Sequence, residues 1–258
     1  MSDPRFTRTV QLIGEAGLQR LQSSFVVVAG LGAVGSFATE ALARAGVGRL
    51  RLVDFDRVQL SNLNRQLFAL ESTLGRLKCE VARERVLDIN PRCQVETLAL
   101  KLDRQTAVQA LSGQPDLVLD AIDSVTGKMA LVLEAHTRGI PLMASMGAAR
   151  RRDPAQVQAG LFSQVTACPL ARHLRQRLRR AGFTGDFLCI YSTEPAAPLG
   201  VAARRDEKMS QEEPNLLDPR AGLGSLPTLT GLFGLRLAHE ALRFLLECPT
   251  VAGENQAR

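Results

Sequence analysis

Gly30, Gly32 and Gly35 stand at GxGxxG spacing in "AGLGAVGS", directly behind the apolar run Phe25–Val28. Glycines so spaced allow a tight turn and let backbone N–H groups approach a phosphate, and a helix opening at about Ala33 adds partial positive charge there. Asp54 closes a second apolar run, "RLRLVD", where a carboxylate accepts hydrogen bonds from a ribose. On this half alone the pattern is that of a nicotinamide or flavin dehydrogenase. The next stretch changes the reading. "VDFDRVQLSNLNRQ" adds Asp56, Asn62, Asn64, Arg65 and Gln66, and "LGRLK" brings Lys78. Two cations and several amides near a glycine loop suit a triphosphate better than a dinucleotide's pyrophosphate, which the loop and helix hold alone. Asp123, ending "LVLDAID", offers an oxygen ligand to Mg²⁺, a cation that binds through one or two carboxylates plus phosphates. The set describes an ATP site.

These residues need a scaffold that gathers strand ends. Strand and helix patterns alternate through the first 147 residues, with strands expected near 25–30, 49–54, 94–100, 116–121 and 141–146. Such alternation implies right-handed βαβ units and a parallel sheet covered on both faces. The expected fold class is therefore α/β: a Rossmann-like, doubly wound, mainly parallel sheet with C-terminal strand and helix extensions. "RLKCEVARERVLDIN" has helical spacing and stops before Pro91; "DPAQVQAGLF" and "DFLCIYST" read as further strands. In "PLARHLRQRLRRAG", Leu170, Leu174 and Leu178 repeat every four residues among arginines, an amphipathic helix ending at Gly182. "AARRDEKMSQEEPNLLDPRAGLGS" reads as a mobile loop near a site. "LPTLTGLFGLRLAHEALRFLLE" is too interrupted by Arg236, His239, Glu240 and Arg243 to span a bilayer, so it reads as a docking or dimer helix without stable membrane insertion.

Composition narrows the setting. The N-terminal "MSDPRFTRTV" lacks the pattern of a secretory signal, and a cytoplasmic protein is expected. Five cysteines, at 79, 93, 168, 189 and 248, form no CxxC pair, so spacing suggests neither a disulfide framework nor zinc. His136, His173 and His239 read as packing or surface residues. Net charge is +6, but its distribution is uneven: residues 149–182 hold eight arginines against one acid, Asp153. A concentrated basic patch points to an anionic partner such as nucleic acid, with Arg172, Arg175 and Arg179 on one helix face as the expected contacts.

"GLGAVGS", "VDFDRVQLSNLNRQ", "LGRLK" and "DAIDS" together resemble the adenylating domain of the E1-like (ThiF/MoeB/HesA) family, over about residues 5 to 240. The resemblance implies Asp54 on the ribose, Asn62, Arg65 and Lys78 on the phosphates, and Asp123 on Mg²⁺. It also implies that "RFTR" sends an arginine, Arg8 or alternatively Arg5, into the neighbouring subunit's site of a homodimer. One adenylating domain is then expected, divided into an N-terminal helical segment (1–24), an ATP-binding core (25–147) and a substrate-binding and dimerisation extension (148–258).

The family's shared chemistry is attack of a carboxylate on the α-phosphorus of ATP, giving an acyl-adenylate and pyrophosphate. A carboxylate is already ionised at pH 7, so no general base is needed, which agrees with the absence of a catalytic triad. Activators of sulfur carriers or ubiquitin-like proteins commonly carry two CxxC pairs for zinc, missing here. "DAIDSVTGKMALV", "GIPLMASMGAARRRDPAQVQ", "YSTEP" and "GLGSLPTLTGLFG" instead resemble the tRNA threonylcarbamoyladenosine dehydratase branch. There the carboxylate belongs to the threonyl group on an adenosine at tRNA position 37, and cyclisation releases AMP. The alternatives are adenylation of a small carrier protein's C-terminus and a non-enzymatic ATP-binding module. Some members of the branch have a cysteine where this chain reads Leu217 to Arg220, including Pro219; Cys189 lies just before "YSTE" and is not expected to take that role. No sulfur-transfer partner is identified.

Overall fold

The computed structural model describes residues 3–197 and 223–247. Its centre is a seven-stranded sheet in the order β3-β2-β1-β4-β5-β7-β6. The strands are β1 Phe25–Ala29, β2 Arg49–Val53, β3 Gln94–Leu98, β4 Leu117–Asp120, β5 Leu142–Ser145, β6 Val157–Leu161 and β7 Leu188–Ser192. All neighbouring pairs are parallel except β6 with β7. The five strands of the first 147 residues lie where hydropathy placed them, and the two later ones extend the sheet as expected.

β1 shows why this is doubly wound. All five of its residues are buried, and alternate side chains enter different cores. Val26 and Val28 pack with α2 (Gly35–Ala45), α3 (Lys78–Ile89) and the C-terminal helix, whereas Phe25, Val27 and Ala29 pack with α4 (Arg104–Ala110) and α5 (Val125–Thr137). A strand covered on both faces must be apolar throughout. Each fully buried Val or Leu in such a layer contributes about 1.5–3 kcal/mol. A third cluster joins α5, α6 (Pro169–Arg180), β5 and β7 through Ala144, Phe162, Leu174, Leu178, Cys189 and Tyr191.

The N-terminal helix α1 (Thr7–Ser23) bends at Gly14, whose φ of 75° and ψ of 168° are not helical. The C-terminal helix α7 (Pro227–Glu247) buries Leu229, Phe233, Leu237, Ala241 and Leu245, one stripe repeating every four residues. That stripe is spent within the chain, on α2. The approach is close: a Cβ at Gly234 would lie 2.3 Å from the Val34 carbonyl oxygen. The docking expected of this helix is thus intramolecular. Among the described residues no helix is long and apolar enough to cross a membrane. The expected mobile loop falls on residues outside the described ones, apart from its last three.

Candidate active site

In open parallel sheets ligands bind beyond the carboxyl ends of the strands, where the strand order reverses. Here the reversal lies between β1 and β4. The turn after β1, the exit of β2 and the exit of β4 meet there. Gly30, with φ of +86°, lies so close to the β4 exit that an added Cβ would stand 2.8 Å from the Ala121 carbonyl oxygen and 3.0 Å from the Ile122 nitrogen. The Gly30 N–H donates to the Val53 carbonyl at 2.8 Å, and the Ala121 N–H to that of Ala29.

Asp54 ties the first two pieces together. Its buried carboxylate accepts from the Leu31 N–H at 2.7 Å through Oδ2 and from the Asp56 N–H at 2.8 Å through Oδ1. Burial pushes the carboxyl above its usual range, and the charge of Lys78 and the two N–H donors oppose that shift. Lys78, 5% exposed at the first position of α3, points its Nζ to Asp56 Oδ2 at 3.0 Å.

The segment between β2 and α3 delivers the amides and the second cation. Asn62 is buried and its Oδ1 accepts from the Gln59 N–H at 3.1 Å, closing a short 3-10 turn. The Leu67 N–H donates to Ser36 Oγ at 3.2 Å, which fixes this segment against the first turn of α2. Gln66 is buried beside Gly32: an added Cβ there would stand 3.8 Å from its Nε2. Arg65 is half-buried, its guanidinium resting on the Ser61 carbonyl and Asn64 Oδ1, both at 2.8 Å.

Asp123 is exposed in the loop from β4 to α5, next to the residues that touch Gly30. Among the described residues no group of three or more His, Cys, Asp or Glu side chains could hold a metal by itself. An exposed carboxylate beside a glycine turn fits Mg²⁺, which keeps several waters and takes other ligands from phosphates.

The expected finger residues differ in surroundings. Arg5 pairs with Asp3 at 3.1 Å, whereas Arg8 is exposed on the first turn of α1 and makes no ion pair among the described residues.

The basic window divides into two populations. Arg172 and Arg179 are exposed on α6, as are Arg177 and Arg180. Arg175 departs from the expected solvent face: it is half-buried, donates to the Phe162 and Val165 carbonyls at 2.8 and 2.9 Å, and lies over the Phe162 ring. The cause is geometric, since position 175 borders the buried stripe of Ala171, Leu174 and Leu178. Arg151 is 2% exposed, and its guanidinium donates to the Gly147, Glu194 and Ala167 carbonyls. Glu194 in turn accepts from the Arg152 and Asp153 N–H groups, which hold its carboxyl below the usual range. Arg151 and Arg175 therefore fasten the C-terminal extension to itself.

Two further residues escaped sequence reasoning. Lys128 and Asp120 are fully buried and paired at 2.9 Å. The only trace in the sequence is a lone cation in the apolar helix "VTGKMALVLEA". The described cysteines, 79, 93, 168 and 189, are all buried free thiols. Burial pushes the Cys189 thiol well above its usual range, the opposite of what a nucleophile needs. Positions 217–220, where some relatives have a cysteine, lie outside the described residues.

Comparison with known proteins agrees with this geometry. The ThiF family model matches residues 6–257. The chain belongs to the ThiF family. It is 38% identical over 231 residues to the tRNA threonylcarbamoyladenosine dehydratase of Bacillus subtilis, covering 88% of this chain and 90% of that protein. The crystal structure of Escherichia coli tRNA N6-threonylcarbamoyladenosine dehydratase, TcdA, in complex with ATP superimposes with a TM-score of 0.81 at 34% identity, covering 94% of this chain and 93% of that one. The molybdopterin-synthase adenylyltransferase of Salmonella typhimurium is also 38% identical, but over 64% of this chain and 65% of its own.

Proposed function

We propose that this protein uses ATP to adenylate the carboxylate of N6-threonylcarbamoyladenosine in tRNA and so drives its cyclisation, a net loss of water. The observation that carries this reading is the reach of the similarity. The dehydratases of Bacillus subtilis and Escherichia coli match over 90% and 93% of their own length, whereas the molybdopterin-synthase adenylyltransferase of Salmonella typhimurium matches over 65%. The β1–β4 crevice, with its glycine turn, Asp54, Arg65, Lys78 and Asp123, supports ATP as the co-substrate.

In this mechanism the glycine turn and the N-terminus of α2 receive the phosphates, and Asp54 receives the ribose. Asn62, Arg65 and Lys78 stabilise the charge that develops as the threonyl carboxylate attacks the α-phosphorus and pyrophosphate leaves. Held by Asp123, Mg²⁺ would neutralise charge on the phosphates. The carbamoyl oxygen then closes on the activated carbonyl and AMP departs. Catalysis is positioning and preorganised charge, each donor contributing about 10²-fold or more. Nucleoside mass spectrometry of modified tRNA incubated with protein and ATP tests the reading; unchanged nucleoside with parent protein, ATP and Mg²⁺ overturns it.

The active unit in this reading is a homodimer in which Arg8 enters the partner's site. Mixed Arg8→Ala and Asp123→Ala chains regain activity, because one site in each heterodimer holds both groups. With random exchange about a quarter of all sites recover. Two inactive variants that stay inactive on mixing exclude the arrangement.

The exposed arginines of α6 guide the tRNA backbone. Replacing Arg172 and Arg179 with Ala weakens tRNA binding and lowers the log–log salt slope by about 0.7–0.9 for each lost phosphate contact. ATP affinity stays unchanged. Replacing Arg175 acts differently, lowering thermal stability because the Val165 carbonyl loses its guanidinium donor, at about 1–3 kcal/mol if left unsatisfied, while the Phe162 carbonyl keeps the Val165 N–H. A double Arg172/Arg179 variant with the parent's salt slope returns α6 to the role of a solvated face.

A further inference from the structure

Asp120 is the last residue of β4, and Lys128 lies in the second turn of α5, so the pair clamps both ends of the loop that carries Asp123. Lys128 Nζ contacts Asp120 Oδ1 at 2.9 Å and donates to the Asp120 carbonyl at 3.3 Å. The same Oδ1 accepts from the Ile122 N–H at 3.0 Å and folds the chain into a tight turn. That turn rests on Gly30, with the Ala121 carbonyl and Ile122 nitrogen in the space a side chain would need. On the far side, Ser124 Oγ accepts from the Gly127 N–H and the Ser124 carbonyl accepts from the Lys128 N–H, starting α5.

As a stabilising device the pair is poorly built. Both side chains are fully buried, and Asp120 Oδ2 has no hydrogen-bond donor among the described residues. Taking two charges out of water costs about as much as their attraction returns, and an apolar pair often does as well. What the charges do provide is a fixed path from helix to turn: Lys128 holds Asp120, Asp120 holds Ile122, and Ile122 rests on Gly30.

We propose that Asp120 and Lys128 are positioning residues for the nucleotide site, setting the Asp123 loop against the glycine turn so that one Mg–ATP is grasped by both. This rests on the Mg–ATP reading of Asp123 given above. Residues that orient a metal ligand without touching the metal typically alter its affinity by about 10–100-fold when replaced.

The test uses the neutral double variant Asp120→Asn/Lys128→Met, in which Asn keeps an acceptor for the Ile122 N–H and Met keeps the length of Lys. ATP affinity is measured by calorimetry with and without Mg²⁺, and amide hydrogen exchange is followed at residues 121–124. The expected result is a loss of about tenfold or more in the Mg²⁺-dependent part of ATP affinity. Mg²⁺-free binding stays near the parent's, and exchange at 121–124 accelerates beyond any change in the rest of the sheet. A folded variant with the parent's Mg²⁺ enhancement and exchange overturns the proposal. The parent protein gives a second check if the variant fails to fold. There the Ile122 amide is protected like those of β4, and exchange at the rate of an unstructured amide sinks the clamp. A parent whose ATP affinity does not respond to Mg²⁺ removes the Asp123 assignment as well, which separates that failure from failure of the clamp alone.

Discussion

Asp123→Ala abolishes AMP formation and leaves the protein folded. The side chain is exposed in a loop, so its removal opens no cavity in the cores on either side of the sheet. What disappears is an exposed carboxylate at the β4 exit, of a kind suited to a hard cation, beside the glycine turn. A divalent ion at a transferring phosphoryl group supplies several kcal/mol of transition-state stabilisation. At about 1.4 kcal/mol per factor of ten, turnover falls about 10³-fold or more. The measurement is AMP released from modified tRNA and ATP, set beside a thermal melt. Excess Mg²⁺ does not restore the rate, because the lost interaction fixes where the ion sits as well as whether it binds. Near-parent turnover at ordinary Mg²⁺ eliminates the metal role of Asp123, whatever the melt shows.

The scaffold was legible in the sequence because each element has a period of its own. FVVVA is apolar throughout and LVLD is apolar up to its last residue, as strands buried on both faces require, and the glycine turn follows β1 directly. The positions of the candidate site residues were legible for the same local reason: Asp54, Arg65, Lys78 and Asp123 each stand in a short motif that ends or follows such an element. Buried charge was the part that could not be read. Arg151, Arg175 and Lys128 look in one dimension like surface cations, and only the approach of other elements encloses them. Arg151 is covered when the chain around Gly147, Ala167 and Glu194 converges. Lys128 meets a partner eight residues away across a strand-to-helix turn. Their partners are mostly backbone carbonyls, which leave no mark in a sequence. The bend at Gly14 was hidden because a glycine inside a helical pattern is compatible with a continuous helix.

The glycines of the phosphate turn separate binding from folding. Gly35, the first residue of α2, has no room for a side chain: a Cβ would lie 1.7 Å from the Gly30 carbonyl oxygen and 3.2 Å from the Ala121 Cβ. The obstacle is backbone, so Gly35→Ala must open the turn or shift α2, and α2 is held by α7. Forcing one methyl into a packed site costs about 1–3 kcal/mol, and more where backbone must move. In a domain of this size each kcal/mol lowers Tm by about 2–4 °C. Gly35→Ala therefore melts several degrees below the parent, and with the turn displaced from Asp54 and the β4 exit its ATP affinity drops by about 10²-fold or more, comparable to losing a preorganised charge-stabilising donor. Gly32→Ala is the contrast. Its φ is not in the left-handed region, and the nearest protein atom to an added Cβ is Gln66 Nε2 at 3.8 Å, so the fold tolerates the methyl. Its cost falls on the ligand, because the second glycine of such a turn lets the backbone approach a phosphate. The expected pair of results is a lowered Tm with lost ATP binding for Gly35→Ala, and a parental Tm with weakened ATP binding for Gly32→Ala. Parental ATP affinity in Gly32→Ala would place the phosphates away from this turn, and the Arg65 and Lys78 roles would have to be reassigned with it.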